Sequence, residues 1–535
     1  MAQIVHDLAP GADLAFASAF GGELSFAENI KKLAAEGAAV IADDVFYPEE
    51  PFFQDGPIAV AINEVVEAGA TYFSAAGNNN LVDDEGRNIA SWEAPEFRDS
   101  SACPSSVVEL SEEIEEAEGV GNGLNPVHCM DFDPGPASDD TFGIAVAEGE
   151  TLVADLQWAE PLAGVSSDLD AFLLGPQGEP VAASIEDNAS PSGTQKPLEV
   201  VEWENDTGAD AQVQFVINRF AGGDPLLKFA LLENGGEVTA TEYPESAEGD
   251  TVGPTIFGHS GAASAVSVAA APFFDSNEPE EYSSRGPLTH YFGPATGTTP
   301  AASLGSPELI AKPDLTATDG GANTFFGSCV AHTWRFFGTS AAAPHAAAVA
   351  ALELQAEPAA TPAEIRQALV DGASPVGIFT SDAVGAGLVD APEAITSLTA
   401  IPFPGGTQLM PATPQNCGFP HVPESNPLPA NPPANNEPVT TETEQRRPRT
   451  FFRQRPGKVI RTHGRSARVA LRFGSDQSDV SYTCRLDGGF FRPCPERLVR
   501  RFGVGSHAIL VVARDAAGNA DRTPAVFRFK VTHVD

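Results

Sequence analysis

A chain of 535 residues with 74 Asp and Glu against 30 Lys and Arg carries a formal net charge of −44. That length exceeds one small core and predicts several domains, while the charge argues against nucleic acid or an anionic membrane as a partner. No apolar run is long enough for a membrane helix, which argues against membrane insertion as well.

The start, Met1-Ala-Gln-Ile-Val-His-Asp7, has no basic region and no apolar core, so no export signal is expected in the sequence as written. From there to about residue 102 strand-like and helix-like segments alternate. Asp13–Ala19 reads as a strand, Phe26–Ala35 as an amphipathic helix, and Ala38–Ala42 as an apolar strand. Ile58–Ala68 reads as a helix, and Thr71–Ala76 as the strand after it. This alternation predicts an α/β fold, a parallel sheet sandwiched by helices.

From about Cys103 to Asp250 the texture becomes acidic, turn-rich and strand-like, as in Thr151–Trp158, Asp170–Leu174 and Gln212–Ile217. Short strands between Gly, Pro and Asp turns predict an inserted β-sandwich. Ser167-Asp-Leu-Asp-Ala-Phe-Leu-Leu174 resembles the small β-sandwich modules that accompany secreted bacterial peptidases. Near Ile256 the α/β alternation resumes and runs to about Ala400. An alanine-rich helix from Pro344 to about Leu354 lies within it, and Thr361, Pro362 and Glu364 mark the start of a later helix as N-cap, first-turn proline and capping-box partner. Residues 401–449 are dominated by Pro, Asn, Thr and Glu and read as a disordered linker. The remainder, 450–535, is basic, unlike everything before it, which marks a separate module.

The domain expectation is therefore 1–102 and 251–400 as two parts of one catalytic domain, 103–250 as the insertion, 401–449 as linker and 450–535 as a C-terminal domain. Of the six Cys, Cys484 and Cys494 flank a short Asp-Gly-Gly hairpin and form the first expected disulfide, with Cys103–Cys129 the second.

Chemistry concentrates in Gly338-Thr-Ser-Ala-Ala-Ala-Pro-His345. A Gly-Thr turn presents the Ser340 hydroxyl at a helix N-terminus, where backbone N–H groups and the macrodipole favour negative charge on a nearby oxygen; the plain alternative is an ordinary Ser/Thr N-cap. Acyl transfer also needs donors for the oxyanion. Ser74-Ala-Ala-Gly-Asn78 ends an apolar strand in an amide, at the sheet edge where such folds bind ligands. The alternative for Asn78 is a turn residue holding its own backbone.

The first string resembles the G-T-S-x-A-x-P-H nucleophile motif of subtilisin-like serine peptidases, and the second their A-A-G-N motif. Tyr282-Ser-Ser-Arg-Gly-Pro287, Lys312-Pro-Asp-Leu315 and Gly385-Ala-Gly-Leu-Val-Asp390 resemble scaffold segments of the same family. The resemblance implies Ser340 as nucleophile, Asn78 as oxyanion donor, a protein or peptide substrate, no cofactor, and secretion or a cell-surface location. Tyr482-Thr-Cys-Arg-Leu-Asp-Gly-Gly489 and Ala513–Asp521 resemble bacterial immunoglobulin-like modules, so the C-terminal module is expected to be an immunoglobulin-like β-sandwich.

The base is not legible. None of the ten His stands in a His-Gly-Thr context. His345 is a packing residue in the family, and His259 and His332 look isolated. Met1–Ala12 resembles the segment just after the subtilase histidine, which places the expected base, His or a sedolisin-like Glu, a few residues upstream of Met1 and leaves the chain as written impaired. Sedolisins carry Asp at the oxyanion position, so Asn78 favours the subtilisin side. Asp43-Asp44 replaces a Ser-rich substrate strand, and reads as an altered acid/base arrangement, an unusual specificity pocket or a solvated strand end. Asp131, Asp133, Asp139 and Asp140, or Asp168 and Asp170, would suit calcium, although their spacing matches no dedicated loop. Two rival functions are an acid peptidase with a Glu base and a non-catalytic secreted adhesion protein on a degenerate peptidase fold.

Overall fold

The computed structural model describes residues 1–100, 102–118, 128–232, 238–330 and 333–399, and within the C-terminal part 450–456, 459–462, 466–475, 477, 480–486, 492–495, 497–503, 505–514 and 525–533. The Pro-rich stretch 401–449, expected as a linker, lies outside the described residues. Two units, Met1–Asn416 and Cys417–Asp535, divide the chain.

At the centre of the first unit four strands run parallel in the order Val40–Asp43, Thr71–Ala75, Val266–Pro272 and Leu315–Asp319. Strands buried on both faces read as apolar runs, and these do. One face is covered by the helices Glu23–Ala35 and Pro57–Glu67, through Phe26, Ile30, Ile58 and Ile62. Against the other face packs the helix Thr339–Ala356, with Ala342, Ala343, Ala346 and Ala350 on Phe73, Val268 and Leu315. Small side chains around the helix let its backbone approach the sheet closely, so it runs buried through the middle of the unit. The helix Ala2–Leu8 lies against it. Thr361 caps the next helix, Pro362–Asp371, through a complete capping box with Glu364.

The strand expected over Asp13–Ala19 does not form. A strand needs a neighbour for its N–H and C=O groups, and among the described residues none pairs with this segment. Leu14 and Phe16 are 51% and 91% exposed.

The insertion is a β-sandwich of two antiparallel sheets. One contains Phe142–Val146, Ala211–Ala221 and Asp168–Leu174, and the other Leu227–Leu231, Thr151–Trp158 and, from ahead of residue 103, the strand Ser91–Ala94. Trp92, Phe132, Phe142, Phe215 and Phe229 fill the space between them. Cys103 and Cys129 form a disulfide, with Cα atoms 5.4 Å apart.

In the second unit, a three-stranded and a five-stranded sheet share a core of Val469, Leu471, Phe473, Ile509, Val511, Phe527 and Phe529, consistent with a β-sandwich. The expected disulfide Cys484–Cys494 is present. Among the described residues no helix is long and apolar enough to cross a membrane.

Candidate active site

Ser340 sits in the first turn of the helix Thr339–Ala356, after Gly338 with φ +105. Thr339 and Ala341 on either side are buried, while Ser340 keeps partial exposure. Its hydroxyl donates to the backbone carbonyl of Asp44 at 3.3 Å.

The end of the neighbouring strand meets this turn. The Asn78 Oδ1 accepts the Thr339 backbone N–H at 3.0 Å and the Thr339 hydroxyl at 2.9 Å, and the Gly77 N–H donates to the same Thr339 oxygen at 3.1 Å. With Oδ1 occupied, the amide is oriented and its Nδ2 is turned toward Gly338. A methyl group on Gly338 would lie 3.1 Å from Asn78 Nδ2 and 3.6 Å from the Ser340 backbone nitrogen. Glycine leaves that point free, with Asn78 Nδ2 nearest and Asn78 Oδ1 and the Ser340 nitrogen each 3.6 Å away, at a helix N-terminus. The two residues singled out from the sequence, Ser340 and Asn78, are thus brought together.

Thr339 and Asp319 were not legible as site residues. Thr339 ties the Asn78 strand end to the helix. Asp319 Oδ2 accepts the Gly338 N–H at 2.7 Å and also the Tyr282 hydroxyl, which itself accepts from Gly338 N–H at 3.0 Å. Burial, and then the neighbouring Asp319, push Glu280 up to about 7, and burial raises Asp319 as well. The signals available in the sequence were the Gly-Thr turn for Thr339 and the Tyr282 motif for Asp319, and the Tyr282 motif now acquires a task. Its two serines do local work too: Ser284 Oγ receives the Asn79 N–H at 3.0 Å and Ser283 Oγ the Ala270 N–H at 3.1 Å.

The Lys312-Pro-Asp-Leu segment is a buried ion network. Lys312 Nζ donates to Asp314 at 2.8 Å and to the Ala265 carbonyl at 2.6 Å, and Arg366 pairs with the other Asp314 oxygen.

Asp43 is not a solvated strand end, being 6% exposed. Its Oδ1 meets Ser74 Oγ and His259 Nε2, each at 3.2 Å. Nor is His259 isolated: its Nδ1 lies 2.6 Å from Glu50 Oε1. Asp44, whose backbone carbonyl receives the Ser340 hydroxyl, is raised to about 6 by burial and then by Asp43. His345 Nδ1 bonds the Ala341 carbonyl at 2.8 Å, in keeping with a packing role, and burial lowers its pKa. His332 lies outside the described residues.

The acidic clusters of the sandwich are engaged locally. Asp131 Oδ1 accepts the N–H groups of Asp133 and Asp139 at 3.2 and 2.9 Å, and Asp170 Oδ2 accepts from Asn218 at 3.0 Å. Among the described residues no three His, Cys, Asp or Glu side chains gather into a metal-binding group.

Comparison with known proteins gives a family. The subtilase family profile matches residues 3–395. None of the curated proteins matches. Among solved structures, the CspB protease of Clostridium perfringens shares 14% identity over 70% of each chain, with a TM-score of 0.37. MycP1 with its N-terminal propeptide removed shares 14% over 72% of this chain and 69% of its own, with a TM-score of 0.25. The fibronectin(III)-like modules of CbhA from Clostridium thermocellum share 15% over 16% of this chain and all of theirs, with a TM-score of 0.13. These three likenesses are distant, and the family match carries the assignment. Spanning both halves of the α/β unit, from the helix Ala2–Leu8 to the helix Ala391–Thr399, that match makes the chain a member of the subtilase family.

Proposed function

We propose that this chain is a serine-type endopeptidase that cleaves peptide bonds through an acyl-enzyme on Ser340. The single observation that carries the reading is the space above Gly338, flanked by Asn78 Nδ2 and the Ser340 N–H. On this reading a peptide carbonyl oxygen seats there and the Ser340 hydroxyl attacks its carbon. Attack by Oγ makes the carbon tetrahedral and its oxygen an anion, which both donors and the helix N-terminus stabilise. Collapse expels the amine, which leaves with the proton that the hydroxyl gave up, and water then hydrolyses the ester and returns a proton to Oγ.

The attack requires a proton acceptor. Among the described residues no imidazole or carboxylate receives the Ser340 hydroxyl, which rests on the Asp44 carbonyl. A nucleophile and oxyanion hole without a base retain roughly 10³–10⁴-fold over water, so slow turnover is the expectation for the arrangement described. The disulfides Cys103–Cys129 and Cys484–Cys494 suit an oxidising, extracytoplasmic setting. We assign the C-terminal unit as an immunoglobulin-like accessory module.

The test is labelling with a fluorophosphonate followed by peptide mass spectrometry, beside casein cleavage by the parent chain and Ser340→Ala. Adduct on Ser340 and cleavage lost in Ser340→Ala support the reading. The carbonyl-bound hydroxyl favours one second reading, a non-catalytic surface protein on the same fold. No adduct, with equal background in both chains, would establish that one instead.

A further inference from the structure

We propose that His259 is a positioning residue for the nucleophile, acting through Asp43 and the Asp44–Val45 peptide group; this rests on the reading of Ser340 as nucleophile. The route is short. Asp43 Oδ1 gathers three donors: Ser74 Oγ at 3.2 Å, His259 Nε2 at 3.2 Å and the Val45 backbone N–H at 3.4 Å. That N–H belongs to the same peptide group as the Asp44 carbonyl. A trans peptide is planar, with N–H and C=O pointing in opposite directions. Holding the N–H on Asp43 therefore turns the carbonyl the other way, and there it accepts the Ser340 hydroxyl at 3.3 Å. The direction of one buried carboxylate sets where the nucleophile rests.

His259 sets that carboxylate. It is 1% exposed and spans two acids, with Nε2 on Asp43 and Nδ1 on Glu50 Oε1 at 2.6 Å. Each ring nitrogen faces a carboxylate oxygen, and an imidazolium can donate to both at once. Burial alone would lower its pKa, and Glu50 and Asp43 together outweigh burial and hold it well above the usual value. Tyr72, Tyr47, Glu23 and Asp44 are further titratable groups facing this cluster.

Glu50 is itself anchored twice. Its Oε2 accepts the His259 backbone N–H at 2.8 Å, and its carbonyl accepts from Gln157 Nε2 at 3.0 Å. Gln157 also receives the Phe52 N–H at 3.0 Å and lies on the sandwich strand Thr151–Trp158. Gly258, with φ +62, leaves no room for change: a methyl group there would lie 2.8 Å from Glu50 Cβ. The inserted sandwich, the 44–56 loop and the nucleophile are thus joined by consecutive hydrogen bonds.

The experiment compares His259→Gln and Glu50→Gln with the parent in the full chain, with Ser340→Ala as the control for the peptidase reading. Expected for His259→Gln is a kcat for Ser340-dependent cleavage lower by about tenfold at unchanged KM. Its crystal structure is expected to have the Asp44 carbonyl turned from Ser340 Oγ. Glu50→Gln is expected to fall between His259→Gln and the parent. A folded His259→Gln chain that keeps the Asp44–Ser340 hydrogen bond overturns the proposal, whatever its activity. Should parent and Ser340→Ala cleave equally, the peptidase reading fails by itself, and the crystal structure still decides the positioning role. Should His259→Gln not fold, ¹⁵N NMR of the parent decides. Both ring nitrogens of His259 protonated at pH 8 support the proposal, and one unprotonated nitrogen overturns it.

Discussion

Asn78 and Thr339 hold each other through one oxygen: the Asn78 Oδ1 accepts both the backbone N–H and the hydroxyl of Thr339, at 3.0 and 2.9 Å. An amide whose oxygen is doubly engaged has its NH₂ group fixed in direction. This is the preorganisation an oxyanion donor needs, since no reorientation remains to be done when charge develops.

Asn78→Ala is expected to lower kcat by roughly 10²–10³-fold with little change in KM, because the lost hydrogen bond forms mainly in the transition state. Steady-state kinetics on a chromogenic peptide give the split. A loss confined to KM would mean that Asn78 binds substrate and does not stabilise the oxyanion.

Thr339→Val keeps the shape of the side chain and removes the hydroxyl that Asn78 and Gly77 share. We expect both a destabilisation of about 1–3 kcal/mol and a drop in fluorophosphonate labelling of Ser340. Labelling at the parent rate would show that the backbone N–H of Thr339 orients Asn78 unaided.

Gly338→Ala places a methyl group in the space between Asn78 Nδ2 and the Ser340 nitrogen, at φ +105. Labelling of Ser340 is expected to vanish, and the strained conformation to cost about 1–2 kcal/mol of stability by denaturant titration. Retained labelling would place the oxyanion elsewhere.

Glu353 lies in the helix Thr339–Ala356 at 0% exposure, and neither carboxylate oxygen has a hydrogen-bond partner among the described residues. Burial pushes it from 4.5 to about 8. A carboxyl raised on folding favours the folded state when protonated, so its contribution is full below pH 4.5 and is lost as pH rises through about 8. Glu353→Gln is therefore expected to stabilise the chain at pH 8, by about 1–3 kcal/mol, and to change little at pH 4. Thermal melts across that range test it, and an equal effect at both ends would exclude titration of Glu353 as the cause.

Asp314 holds Lys312 and Arg366 together, with Lys312 1% exposed. Asp314→Ala leaves a buried ammonium without its counter-charge and is expected to cost about 3–5 kcal/mol. A loss near zero in urea titration would mean that Lys312 is neutral in the folded chain.

Much of the site could be read from the linear chain because its parts are local. A Gly-Thr-Ser turn before an alanine-rich helix, a strand ending in Gly-Asn, and a Thr-Pro-x-Glu cap each specify backbone geometry within a few residues. The strand expected over Asp13–Ala19 failed for the opposite reason. Its alternation was sound, but a strand is defined by the neighbour it bonds to, and apolar pattern alone does not supply one.

By itself, then, the sequence singled out Ser340, Asn78 and the α/β frame that carries them, because periodicity and turn chemistry act over short range. Tertiary structure decided which acids matter. Asp43 and His259 stand 216 positions apart and look like a wet strand end and a stray imidazole until packing removes water from both. Charge in a dry interior must find its opposite, and only the folded chain decides which opposite is within reach.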